Sequence, residues 1–255
     1  MTEITSLSSA RQFLRDLLCD PGGNLVVMTG AGISTDSGVP DFRSPGGLWS
    51  QMEPIQFDDF IRSPQSRMED WRRRFDMKRI FDEAEPNHAH MALARLAHSG
   101  DLSLLITQNV DGLHQRSGVP DDKLVELHGN STYATCLDCG ERAELSEQET
   151  VWREGRTPTC AACGGLLKAA VISFGQSMPE DALQRAAEAA RDAEVFLVVG
   201  SSLLVYPAAQ LPQIAAEAGA RLVIVNREAT PLDALAEASI RTPIAETFEG
   251  VVVVE

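Results

Sequence analysis

The chain has 255 residues, 44% of them hydrophobic and 5% aromatic, and a formal net charge of −15 from 22 Lys plus Arg against 37 Asp plus Glu. So acidic a balance repels a phosphate backbone, which argues against a primary nucleic-acid role and favours cationic partners. The length fits one large α/β domain or a domain with a small insert; no apolar run approaches the roughly 20 residues of a membrane span, and the polar N-terminus lacks a signal-peptide core, so neither membrane nor export is expected.

In chain order, strands are expected at 25–29, 102–107, 124–127, 195–200, 221–226 and 251–254, most of them continuously apolar, as in a parallel sheet buried on both faces. Helical patterns alternate with them. The run 87–97 has apolar Ala89, Met91, Ala92, Leu93 and Leu96, and 179–193 opens on a proline suited to a first helical turn. The expected fold is a doubly wound α/β core, a parallel sheet with helices on both faces. Two stretches break the alternation. Residues 44–85 begin rich in Gly and Pro and become helical and charged, and residues 129–170 carry cysteines with little strand periodicity. Together they are read as a smaller module beside the sheet, which leaves 1–43, 86–128 and 171–255 to the core domain. The basic run Arg72-Arg73-Arg74 with Lys78 and Arg79 reads as a solvated helical face.

Four of the five cysteines form two couples, Cys136-x-x-Cys139 and Cys160-x-x-Cys163, with twenty residues between them. Each tight turn aims two sulfurs at one tetrahedral ion, so a single structural zinc is expected, with no position open to a reacting water. Thiols kept available to zinc argue for a reducing compartment, so cytoplasmic residence is expected. The fifth, Cys19, reads as a small packed hydrophobe.

The strand 25–29 runs into Gly30-Ala31-Gly32-Ile33-Ser34, a glycine turn of the kind that offers backbone N–H groups to phosphate. Alone it is weak, because the third glycine comes late at Gly38 and strand-to-helix turns also hold glycine for steric reasons. Downstream, Asp41-Phe42-Arg43-Ser44-Pro45-Gly46-Gly47-Leu48-Trp49 combines a fixed cation, an aromatic ring and a glycine hinge, as a loop closing over an anionic cofactor needs; a surface turn with one buried Phe has the same composition. His128, in Glu126-Leu127-His128-Gly129, is the candidate for the chemistry, although a lone His before a glycine is more often a packed or capping residue.

In this order, Gly30-Ala31-Gly32-Ile33-Ser34, Gly38-x-Pro40-Asp41-Phe42-Arg43, Thr107-Gln108-Asn109-Val110-Asp111-Gly112-Leu113-His114, Glu126-Leu127-His128-Gly129, the two cysteine couples, Phe174-Gly175, Gly200-Ser201-Ser202-Leu203 and Val225-Asn226-Arg227 resemble the motif series of the sirtuins, NAD-dependent protein lysine deacylases. The likeness covers most of the chain. It implies a Rossmann-like domain beside a smaller zinc-binding and helical domain, with NAD as co-substrate between them, acylated-lysine proteins as partners, and, from the compact ends, a bacterial source. By this resemblance Gly30, Ala31, Gly32, Arg43, Gly200, Ser201, Ser202, Asn226 and Arg227 would hold the ADP-ribose part. Gln108, Asn109 and Asp111 would surround the nicotinamide ribose, and the loop from Asp41 would close so that Phe42 shields it.

Asn109 and His128 would be catalytic, His128 as the base that helps a ribose hydroxyl attack the activated acyl carbon. Val171, Phe174 and Gly175 on one edge and Val205 on the other would sandwich the substrate peptide as an added strand. His88, His90 and His98 are expected to be structural, and His114 to order the loop 109–111. The chain departs from many sirtuins in lacking a proline after Lys168 and in carrying Gln176 after Phe-Gly. The branch that removes acidic acyl groups carries Tyr-x-x-Arg, for which the nearest match is Trp71-x-x-Arg74. Deacetylation is the leading expectation, with ADP-ribosyl transfer, NAD hydrolysis or desuccinylation as alternatives.

Overall fold

The structure, a computed structural model, describes residues 2–19, 23–41, 47 and 52–252, without the side chain of Cys19. Its elements run β1 (Thr2–Ile4), α1 (Leu7–Cys19), β2 (Leu25–Thr29), α2 (Phe57–Arg62), α3 (Pro64–Glu83), α4 (His88–Ser99), β3 (Leu102–Thr107), α5 (Leu113–Arg116), β4 (Leu124–Glu126), β5 (Gly129–Cys136), β6 (Arg142–Glu144), α6 (Leu145–Arg153), β7 (Leu167–Val171), α7 (Glu180–Asp192), β8 (Val195–Val199), α8 (Leu211–Glu217), β9 (Arg221–Val225), β10 (Ala238–Ile240) and α9 (Ile244–Phe248). Seven strands form one all-parallel sheet in the order β1-β10-β9-β8-β2-β3-β4.

Every residue of β2 and β8 is buried, because successive side chains supply two different cores. Leu25, Val27, Leu197, Val199 and Val223 pack with α1, α4 and α9 on one face. Val26, Met28, Phe196, Val198 and Ile224 pack with α7 and α8 on the other. This is the α/β class expected from the apolar runs. Local signals set the helix ends. Asn87 accepts the N–H of Ala89 while His90 accepts the N–H of Asn87, a reciprocal cap that starts α4; Gly100, at φ +88°, ends it.

Chain order steps from β2 outwards to β3 and β4, then returns to β8 on the other side of β2. The crevice at such a reversal opens at the carboxyl ends of the strands. Gly30, Gln108, Leu127, Gly200 and Asn226 each follow directly on one of those ends.

A second, antiparallel sheet has the order β6-β5-β7. Trp71 and Phe75 of α3 share a core with Ala134, Cys136, Leu145, Cys160, Leu167 and Ala169 around this sheet. Stacking of Trp71 on Phe75 at 5.4 Å, and Phe75 against Trp152 at the same separation, joins α3 to α6. Among the described residues no helix is long and apolar enough to cross a membrane.

Two expectations need correction. The stretch 129–170, read as having little strand periodicity, contains β5 (Gly129–Cys136) and β6 (Arg142–Glu144) and most of β7 (Leu167–Val171). The expected strand at 251–254 does not form where it is described: Val251 and Val252 lie in a turn and bend after α9, with Val251 buried against the core, so its apolar character serves packing and not a ladder. Residues 253–254 lie outside the described residues.

Candidate functional site

The three glycines around the crevice are demanded by close backbone approach. A Cβ on Gly30 would lie 2.7 Å from the oxygen of Gly200, and one on Gly32 would lie 2.8 Å from its Cα. Gly200, at φ +68°, could take no side chain without colliding with the nitrogen of Ile33. The turn after β2 therefore seats on the turn after β8, fixed by Gly30 N–H to Val199 O at 3.0 Å and Gly32 N–H to Gly200 O at 2.8 Å.

Beyond these turns lies a cleft of about 1400 Å³ lined by Gly30, Ala31, Gly32, Asp41, Gln108, Asn109, His128, Gly200, Ser201, Ser202 and Asn226. Its other walls include Val171, Phe174, Gly175 and Val205, so both proposed peptide edges border the same space. That volume exceeds the roughly 300–1,000 Å³ of a site for one small ligand and suits a dinucleotide with a second substrate. Arg227 borders an adjoining small crevice with Gly32, Asp41 and Asn226. Phe42 and Arg43 lie outside the described residues. Asp111 is not on the wall: it is buried one layer behind, its carboxylate accepting from Ser34 Oγ at 2.7 Å and from the N–H of Leu113 at 2.9 Å, and burial raises its pKa.

At the end of β4, the Nδ1 of His128 lies 3.0 Å from the main-chain oxygen of Gln108. A carbonyl oxygen only accepts, so Nδ1 carries the proton and Nε2 keeps a bare lone pair. Burial lowers the ring's pKa, partly opposed by that hydrogen bond, and the imidazole is neutral at pH 7. The Gln108 side chain is held by Ser201 Oγ at 2.9 Å. Asn109 Nδ2 donates to Gly30 O and to Ser34 Oγ, both at 3.2 Å, which fixes its amide plane at the cleft.

A second layer, whose pairings the motif spacings do not reveal, supports this wall. Ser34 Oγ, which donates to Asp111, lies 3.4 Å from His90 Nε2. Thr29 Oγ1 donates to Thr107 Oγ1 and lies 2.9 Å from His114 Nε2. Burial lowers the pKa of His90 to about 4 and that of His114 well below its ordinary value, so both rings are neutral supports. Gln176 caps its own turn, its Oε1 accepting the N–H of Ser173 at 3.1 Å, so the loss of a carboxylate at this position leaves the turn intact.

The cysteine sulfurs converge within 4.8 Å of one another. Cys136 and Cys163 are 3.5 Å apart, Cys139 and Cys160 3.7 Å, and Cys139 and Cys163 3.4 Å. A tetrahedral zinc with Zn–S near 2.3 Å needs sulfurs about 3.8 Å apart, whereas a disulfide needs about 2.05 Å, so the donor set fits zinc. The two turns are near copies. Gly140 N–H returns to Cys136 O and Gly164 N–H to Cys160 O, each glycine at φ +75°.

The residues 30–207 match the family model described as Sir2 family. A Rhodopseudomonas palustris protein named NAD-dependent protein deacetylase is 51% identical over 95% of this chain and 96% of its own length. An Aquifex aeolicus protein named NAD-dependent protein deacylase is 45% identical over 84% of this chain and 87% of its own. Among solved structures, Sir2 with a p53 peptide and NAD+ superposes with a TM-score of 0.83 at 38% identity, covering 94% of this chain and 95% of that one. Sir2Tm bound to a propionylated peptide gives 0.82 at 37%, covering 94% and 96%.

Proposed function

The chain belongs to the Sir2 family, and from that premise we propose that it is an NAD-dependent protein lysine deacylase, acting chiefly on acetyl-lysine, that passes the acyl group to ADP-ribose and releases nicotinamide. One observation carries the reading: a neutral imidazole on the cleft wall whose Nδ1 is committed to Gln108 O and whose Nε2 is left to accept a proton. NAD, when bound, supplies the leaving nicotinamide and the ribose hydroxyl to which the acyl group passes. His128 Nε2 takes the proton of that hydroxyl, at a pKa that keeps the base unprotonated at neutral pH. Asn109 and Gln108, each tied back to the glycine turns, orient the ribose side of the site.

The edges 172–176 and 203–206 receive the peptide as an added strand, so recognition is mostly through main chain and tolerant of flanking sequence. The zinc is structural, since all four ligand positions are sulfur. Residues 1–43, 86–128 and 171–255 make up the NAD-binding domain, with 44–85 and 129–170 as the small one. Trp71 is buried and does not border the cleft, and Arg74, which does, has its charge paired with Asp70 at 3.2 Å, which favours neutral over acidic acyl groups. The thiol-rich metal site and the acidic surface fit a cytoplasmic enzyme whose partners are acylated-lysine proteins and not nucleic acids.

The test is incubation with NAD and an acetylated peptide, followed by mass spectrometry. Expected are loss of one acetyl group per nicotinamide released, a fall of about 10²- to 10⁴-fold in His128→Ala, and an acid limb of the rate profile below pH 6.5. Mass gain on a protein residue without acetyl loss, or a fully active His128→Ala, sinks the reading.

A further inference from the structure

Lys168 is a lysine where a lysine is costly: in β7 and only 1% exposed, on the face of the small sheet opposite the one on which Leu167, Ala169 and Val171 join the apolar cluster. An ammonium there needs anchoring, and the structure supplies it. Its Nζ donates to the main-chain oxygen of Val171, the ring of Phe60 lies 5.9 Å away, and Asp70, itself 3% exposed, stands close enough to favour its charge.

The oxygen it grips belongs to a particular peptide unit. Val171 C=O and Ile172 N–H are the two ends of one amide plane, and the N–H end donates at 2.9 Å to the main-chain oxygen of His128. Val171 and Ile172 also border the cleft. A cation on an amide oxygen draws electron density from the nitrogen and strengthens its N–H as a donor. Two bonds in series therefore run from Lys168 through a single amide to the backbone of the base.

We propose that Lys168 is a positioning residue for His128: its ammonium fixes and polarises the Val171–Ile172 amide, which holds the main chain of the base and the adjoining acyl-lysine wall in register. The inference rests on the deacylase reading for its kinetic consequence but not for its geometry. The charged groups facing Lys168 are Asp70 and Arg74, both from α3; β5 opposite brings Thr135 and α2 brings Phe60, neither of which titrates. Burial, then Arg74, lower its proton affinity and Asp70 raises it, leaving a pKa of about 7. Loss of that proton weakens the grip on Val171 O.

The experiment compares wild type, Lys168→Met and Lys168→Arg by acetyl-peptide turnover across pH and by hydrogen exchange at the Ile172 amide. In Lys168→Met, kcat falls about 10- to 100-fold, as small misplacements of a catalytic group do, with zinc content retained, and the Ile172 amide exchanges at least about tenfold faster. Lys168→Arg recovers most of kcat. It also loses the alkaline limb that wild type shows above about pH 7, because a guanidinium keeps its proton. Wild-type turnover in Lys168→Met, unchanged Ile172 exchange, or an alkaline limb that persists in Lys168→Arg each overturns the proposal. If Lys168→Met does not fold, the Arg variant decides alone. Should wild type show no NAD-dependent turnover, the deacylase reading fails, and Ile172 exchange, which needs no cofactor, still decides the role of Lys168.

Discussion

In the seven-stranded sheet every residue of β2 and β8 is buried between two helical layers, whereas none of the three residues of β6 in the small sheet is buried. The large sheet has apolar cores on both faces; the small one has a single cluster, part of which is Cys136 and Cys160 themselves. A region this short of apolar area would draw folding free energy from a zinc on its four sulfurs, whereas the parallel sheet is held by burial on both faces. The expectation is that the stability of the first is conditional on zinc and that of the second is not.

The largest expected effect breaks this contrast at the metal. Cys136→Ser, or chelation, should abolish zinc binding, which in isolated zinc modules supplies about 10–16 kcal/mol of folding free energy. Hydrogen exchange should then lose protection across residues 129–171 while residues 25–29 and 195–199 stay protected. Retention of both zinc and protection by the variant contradicts the account. Next is Gly200→Ala, which sets a side chain at φ +68° against the nitrogen of Ile33. It should cost about 3 kcal/mol in denaturant unfolding of the large sheet and weaken NAD binding, without changing zinc content.

The smallest effect concerns pH. His90 binds its proton near pH 4 when folded and near 6.5 when unfolded. The stability it contributes as a neutral ring is therefore complete above pH 6.5 and is lost as pH falls towards 4. Between pH 7 and 5 this amounts to about 2 kcal/mol of the acid-dependent loss, and His90→Gln should flatten the curve by about that amount; parallel curves for the two proteins rule it out.

The same contrast explains what could be read from the residues. The strands 25–29 and 102–107 announce themselves because a strand covered on both faces is apolar at every position. β5 alternates irregularly between buried and exposed positions and carries Asn130, Ser131 and Thr132, so its ladder is hidden; the cysteine couples mark the region but say nothing of strands. β1 and β10 are three residues each, too short for a period. Val251 and Val252 misled for the converse reason, since an apolar run can serve a helix-packed core.

In the site, residues that follow strand ends fall in recognisable motifs, and Gly30, Asn109, His128 and Ser201 meet at one cleft. The layer behind is assembled from residues far apart in sequence. Ser34 meets Asp111 across 77 positions and Thr29 meets His114 across 85. No local spacing announces such pairs. Lys168 is equally silent in the sequence, because a lysine between apolar neighbours reads as the outward face of a strand until the sheet is seen covered.

Gly129, next after His128, is already the first residue of the small sheet, at φ +75° and packed so tightly on Ala170 that any Cβ would overlap its carbonyl oxygen. The imidazole proposed as the base thus sits one peptide bond from the start of β5, whose other end is Cys136. A shift of that strand would reach His128 through the backbone, so a chemically remote ion would acquire leverage over the proposed proton transfer. Partial demetallation should silence turnover while most of the protein remains natively folded.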